Sequence, residues 1–348
     1  MIPTASSIMA LPSSSFTTRR VNRSTFVVCE SDLYRENPLI YVKIHPRAPF
    51  VIVTDTGCDE PAARHKQDTF THLRDYLECY PNPANAGRPL NPGGERQYMI
   101  ICTHCHFDHT GGITQFLEGG TTEIVASAAG RDFIESDLAS HGLYKYVDKP
   151  APYYVVSLWA QAFAQPVFVK DQKSYDLGIT MLQTIGHTPD SLAWYDQDEM
   201  HLYVGDSFYR EGEDGMPIVF PAEGDMREWI FAMQKLAVFT RTQNAREEAA
   251  ASVQSEDGWV QVPRRVLVSC GHQTVGVDGA EILAELEAFS YRALLGQVPV
   301  VETKVRRGEV WDLWRETGEK RTPMSILAPR RLMRDCRRFF GHWVEDGR

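Results

Sequence analysis

Three histidines and an aspartate, His104, His106, Asp108 and His109, fall within six residues immediately behind an apolar run at 98–103. A short apolar run of this kind reads as a buried strand. The chain is therefore expected to carry a cluster of metal-binding side chains off the end of a sheet. Side chains two apart on an extended segment face the same way, which lets His104 and His106 converge on one point. The turn that follows offers Asp108 and His109 to a second point. Imidazole and carboxylate donors suit zinc, with iron or manganese as alternatives. Such groups are costly to bury without a partner, so other parts of the chain are expected to reach the same place.

Three later segments can do so. His187 lies in the stretch 184–191, Asp206 ends an apolar run at 201–205, and His272 follows one at 265–269. A glycine adjoins each of them, Gly186, Gly205 and Gly271, and glycine allows backbone to crowd around an ion. Further strands are expected at 26–30, 39–45, 50–54, 98–103, 123–127, 179–184 and 192–195. Helices are expected at 62–79, 127–140, 225–240 and 279–295, the last with Asp278 as N-cap and Gly296 as stop. Strands alternating with amphipathic helices indicate an α/β fold. Residues 243–258 read as a polar excursion between two elements.

The order His-x-His-x-Asp-His, followed by His, Asp and His at the ends of later strands, resembles the metallo-β-lactamase-fold hydrolases. Asp55, in Thr54-Asp55-Thr56-Gly57, resembles that family's early supporting aspartate. The resemblance covers about residues 25–275. It implies a four-layer αββα sandwich with two metals at one edge of the sheets. Carried over position by position, it implies His104, His106 and His187 on one zinc. Asp108, His109 and His272 would hold the other, with Asp206 bridging. Asp108 and Asp206 are then the catalytic carboxylates, and Asp55, Thr188 and Ser191 the groups expected to hold the imidazoles in place. Within the family, true β-lactamases of the best-known subclass place cysteine where Asp206 stands, and diiron flavoproteins place glutamate at His106. The phrase Gly186-His187-Thr188-Pro189-Asp190-Ser191 is most similar to the glyoxalase II and acyl-CoA thioesterase-like branch. The activity this implies is hydrolysis of a thioester, such as an acyl-CoA or glutathione thioester, by a metal-bridging hydroxide. The same site admits a lactone or carboxyl-ester hydrolase, or an iron-dependent persulfide dioxygenase.

Composition narrows the partners to a small molecule. A formal net charge of −10 argues against a general nucleic-acid binder. No apolar stretch reaches the roughly 18 residues of a membrane span. Seven cysteines, an odd number without a framework spacing, point to a reduced, cytoplasmic setting. The C-x-x-C of Cys102 and Cys105 overlaps the histidine cluster, which argues against a redox motif. The first 28 residues have no acidic group and contain Arg19, Arg20 and Arg23, a faint transit-peptide pattern. Residues 1–24 are expected to be disordered, 25–300 to form the catalytic domain, and 301–348 to form a basic, partly helical extension. That extension holds 12 Lys+Arg against 8 Asp+Glu. Its Arg330 and Arg331 are candidate phosphate grips. Tyr209 is a candidate site-lining residue. Trp159, within an apolar stretch at 150–168, is a candidate for a hydrophobic substrate wall.

Overall fold

A computed structural model describes residues 11–212, 215–251, 262–317 and 323–341. Two sheets lie face to face. The first has seven strands in sequence order: Phe16–Arg20, Thr25–Glu30, Leu39–Ile44, Phe50–Thr54, Gln97–Ile101, Glu123–Ser127 and Leu158–Ala160. Its first four strands are antiparallel meanders and its last four run parallel. The second sheet orders Ile179–Gln183, Leu192–Asp196, His201–Tyr203, Leu267–Ser269 and Val277–Asp278. Central strands such as Phe50–Thr54 are buried along their whole length, which is why they read as continuous apolar runs rather than alternating ones.

Between the sheets lies a core of Tyr41, Phe50, Ile52, Met99 and Val125 against Ile179, Met181, Leu192 and Trp194. Helix Leu73–Cys79 covers the outer face of the first sheet through Leu73, Tyr76 and Leu77. Helices Met226–Ala251 and Gly279–Leu294 cover the second. The four layers are those of the αββα sandwich. No helix among the described residues is long and apolar enough to cross a membrane.

Several expectations need correction. Ordered structure begins well before residue 25: Phe16–Arg20 pairs with Thr25–Glu30, and Phe16 packs its ring 5.2 Å from that of Tyr76. The helix expected at 62–79 is confined to Leu73–Cys79, because Phe70 pairs its backbone with Ser13 and Ser15 instead. That tertiary pairing outweighs local helical propensity. The helix expected at 127–140 breaks at Asp137, whose side chain caps the second piece at Ser140. Of the excursion at 243–258, residues up to Ala251 continue the helix from Met226, and 252–258 lie outside the described residues.

The C-terminal region is no appendage. Strands Val300–Arg306 and Glu309–Arg315 form a hairpin, Ser325–Pro329 adds to it, and that strand pairs in parallel with Ile218–Val219. Among the described residues of this region, only Arg330–Phe339 is helical. Trp314, Ile326, Leu332 and Met333 share one continuous core with Trp229 and Leu236. A boundary at residue 300 would cut through that core.

Candidate metal centre

The parallel strand Gln97–Ile101 ends below the loop that carries His104 and His106, and His106 caps the short helix Phe107–Thr110. His187 sits in the turn after Ile179–Gln183, Asp206 just past His201–Tyr203, and His272 just past Leu267–Ser269. The second sheet thus delivers all three late residues to the edge where the first sheet ends. Two buried groups result: His104 with His106 and His187, and Asp108 with His109, Asp206 and His272. Within each, the candidate ligand atoms lie within 4.8 Å of one another.

The nitrogen atoms of the first group converge: His104 Nε2 is 3.0 Å and His187 Nε2 3.3 Å from His106 Nδ1. In the second group, His109 Nε2 stands 3.3 Å from both Asp108 Oδ2 and Asp206 Oδ1, and His272 Nε2 3.3 Å from Asp108 Oδ2. Donors about 2.0–2.1 Å from a tetrahedral zinc lie about 3.4 Å apart, so the spacings fit ions of that size. His109 Nε2, His272 Nε2 and Asp206 Oδ1 are buried without a well-formed hydrogen bond. Orphaned polar atoms of this kind cost stability unless something binds them. The residues present therefore fit a pair of metal ions.

Four of the imidazoles are aimed from behind. His109 Nδ1 lies 2.8 Å from Asp55 Oδ2, His187 Nδ1 2.7 Å from the Val219 carbonyl, His272 Nδ1 2.9 Å from the Glu36 carbonyl, and His104 Nδ1 3.1 Å from Thr103 Oγ1. Each such contact directs the other nitrogen into the centre. Asp55 also accepts from the Thr103 amide and hydroxyl, both at 2.8 Å. Thr188 and Ser191 do not touch the imidazoles as expected. They bond to each other, at 2.9 Å between hydroxyls, and brace the turn that carries His187.

Burial, together with the neighbouring imidazoles, holds His104 well below the ordinary histidine range and takes His106 down to about 3. These rings are neutral, as metal binding requires. For Asp108 and Asp206, burial opposes ionisation, but the adjoining His109 and His272 overcome it and keep both carboxyls well below their usual range.

A cleft of about 490 Å³ opens onto both groups. Tyr209 lines it, buried, with its ring 5.8 Å from that of His272. Trp159 does not. It pairs with Ala126 on the sheet edge and packs under Arg131 at 5.3 Å, because strand register turns it away from the cleft. Apolar walls come instead from Phe107, Leu143, Val147, Met216 and Trp311. Arg330 and Arg331 are also absent from the lining. Arg330 forks onto Asp312 at 2.6 and 2.8 Å, and Arg331 engages Glu309 and the Ala222 carbonyl. The cleft's arginines are Arg306 and Arg307. The Arg-Arg-Gly-Glu hairpin turn between alternating strands was the available signal for them.

Residues 50–239, more than half of the chain, match the family model described as the metallo-beta-lactamase superfamily. A fungal protein from Aspergillus versicolor, "Putative transcription factor avaE", is 28% identical over 326 residues, 93% of this chain and 89% of its own length. The human "Acyl-coenzyme A thioesterase MBLAC2" is 29% identical over 120 residues, 33% of this chain and 42% of its own length. Among solved structures, a metallo-beta-lactamase family protein from Thermus thermophilus superposes with a TM-score of 0.51 at 16% identity, over 81% of this chain and 84% of its own. That likeness bears on the fold alone. With its sandwich, its paired histidine–aspartate groups and this family match, the chain belongs to the metallo-β-lactamase superfamily of metal-dependent hydrolases.

Proposed function

We propose that the protein is a dinuclear zinc hydrolase of thioesters. The observation that carries this reading is the convergence of all seven side chains, two of them carboxylates, on one buried edge below an open cleft. Stretches of similarity to relatives named acyl-coenzyme A thioesterases support the thioester. The acidic composition disfavours DNA as the ligand, despite the fungal relative's name.

His104, His106 and His187 would hold one ion. Asp108, His109 and His272 would hold the other, with Asp206 between them. The chemistry such ions supply when bound is a water made nucleophilic at neutral pH and a polarised carbonyl. Asp108 and Asp206, kept ionised, would accept hydrogen bonds from such a water and orient it toward the carbonyl. Tyr209 stays protonated because burial raises its phenol well above the ordinary range; its hydroxyl is then a donor for the carbonyl oxygen as charge develops there. Asp55 fixes the His109 ring through both electrostatics and the Thr103 hydrogen bonds. A thiolate is a good leaving group, so no strong general acid is required of the protein.

The test is thiol release from short-chain and long-chain acyl-CoA and a glutathione thioester, wild type against His106→Ala, with metal content measured on both. Release confined to wild type is expected. Silence across the panel from zinc-loaded protein refutes the reading and directs attention to lactones. Iron with oxygen uptake would instead establish the persulfide dioxygenase.

A further inference from the structure

The mouth of the cleft is built by the one part of the chain whose role the composition alone obscured. Strands Val300–Arg306 and Glu309–Arg315 form a hairpin whose turn residues Arg307 and Gly308 have φ of 52° and 79°. Two successive positive φ values make the tight turn that matches strand twist, so the tip is held in one conformation. From it, Arg306 lies over the Trp311 ring at 5.4 Å, and Arg307 reaches across to the ring of Tyr146 on the opposite wall. Both contacts are of the cation–π kind, and among the described residues neither guanidinium has a hydrogen bond to a protein acceptor.

The two charges are not spent on the protein. Glu309 stands directly opposite Arg306 in register, yet its carboxylate is engaged by Arg331 at 2.5 Å. Among the described residues, neither Arg306 nor Arg307 has a carboxylate within ion-pair distance. Apart from the clustered histidines, they are the cleft's only cationic side chains among those residues. Arg306 and Arg307 are exposed, whereas Asp108 and Asp206 are buried among the candidate ligands; Glu36 is half-buried and Glu223 exposed along the same cleft. An extended substrate with a neutral reacting carbonyl inside and an anion at the mouth matches this polarity.

We propose that Arg306 and Arg307 bind a phosphate of the leaving group, so that the preferred substrates are thioesters of a phosphorylated pantetheine-type thiol. This rests on the thioesterase reading above. The planar guanidinium fork fits phosphate oxygens in pairs. The arginines line the same cleft as the buried histidine–aspartate groups, but from exposed positions on the hairpin. The arginines are thus binding residues that set specificity and do not touch the reacting atoms.

The test compares wild type with the double variant Arg306→Gln/Arg307→Gln, using one acyl group on coenzyme A, on 4′-phosphopantetheine and on unphosphorylated pantetheine. The loss in kcat/KM on the coenzyme A thioester should exceed that on the pantetheine thioester by about tenfold or more, carried by KM. The 4′-phosphopantetheine arm shows which phosphate is read, and a carrier-protein thioester shows whether a protein-bound source serves equally. Arg306→Lys/Arg307→Lys should regain most of the discrimination and guards against a merely misfolded hairpin. Equal losses on all thioesters overturn the proposal. Calorimetric titration of free coenzyme A into metal-loaded protein reads the same site without turnover: binding about tenfold weaker in the glutamine variant is expected. Equal affinity, or no binding to wild type, overturns it. Arginine-dependent binding in a protein that cleaves no thioester would keep the phosphate site and refute only the thioesterase reading.

Discussion

Asp55 Oδ2 stands 2.8 Å from His109 Nδ1, and the same carboxylate receives the amide and hydroxyl of Thr103. One side chain therefore fixes both the strand end that launches the histidine loop and the ring that belongs to the second group. Its backbone is left-handed, with φ of 63°, a conformation costly for a non-glycine residue. Asp55→Ala should weaken metal binding about 10–100-fold, the usual effect of losing such a supporting partner. Competition with a chromophoric chelator measures it, and unchanged affinity would show that the His109 ring is aimed by packing alone.

His106 Nδ1 is the point at which His104 and His187 converge. His106→Ala should take bound metal from two ions per chain toward one and lower kcat about a hundredfold or more. Elemental analysis paired with a melting curve checks this. Two ions retained at full activity would dismiss the first group as a metal site.

Gly271 sits against the second group so closely that a Cβ there would lie 2.3 Å from Asp206 Oδ1 and 2.8 Å from His109 Cε1. Gly271→Ala should expel metal from that group while the sandwich remains folded, because the two nearest atoms belong to ligand side chains and the nearest backbone atom, the Gly205 carbonyl carbon, is 3.2 Å away. Circular dichroism and metal content together decide it.

Glu30 is buried beneath the 55–60 loop and accepts from the amides of Cys58 at 2.6 Å and Glu60 at 3.3 Å. Burial pushes its carboxyl up from 4.5 to about 8. The folded chain thus keeps a proton that the unfolded chain releases above pH 4.5. The associated stability is complete below that pH and is lost as pH rises toward 8, by an amount on the order of a few kcal/mol. Glu30→Gln, neutral throughout, should lose less stability than wild type between pH 5 and 8. Urea unfolding at the two pH values reads the slope, and parallel wild-type and variant curves would contradict it.

Asp312 is buried and shared between Arg330 and the Thr303 hydroxyl, the latter at 2.6 Å. Arg330→Met should destabilise the protein by about 1–3 kcal/mol, since it strips a buried carboxylate of a charged partner. It should not alter the ratio of activity on coenzyme A and pantetheine thioesters. A changed ratio would return Arg330 to the substrate, where its place in a basic segment first suggested it.

Local features were legible in the order of residues. Strands Thr25–Glu30, Leu39–Ile44, Phe50–Thr54 and Glu123–Ser127 were visible within a residue or two, because strands buried on both faces carry largely apolar runs. The cluster from His104 to His109 was visible because four donors in six residues leave few alternatives. His187, Asp206 and His272 were legible once each was seen to end an apolar run beside a glycine. What depends on which surfaces meet was visible only in the folded chain. Trp159 carries the composition of a pocket wall, but strand register sends it to Arg131. Arg330 and Arg331 share a basic segment with Arg306 and Arg307, yet the carboxylates of Asp312 and Glu309 occupy the first pair. The hairpin places the second pair at the cleft. Residues 66–72 have a helical pattern that pairing with 13–15 overrides. In each case the deciding energy is a contact between segments far apart in the chain. No local pattern encodes such a contact.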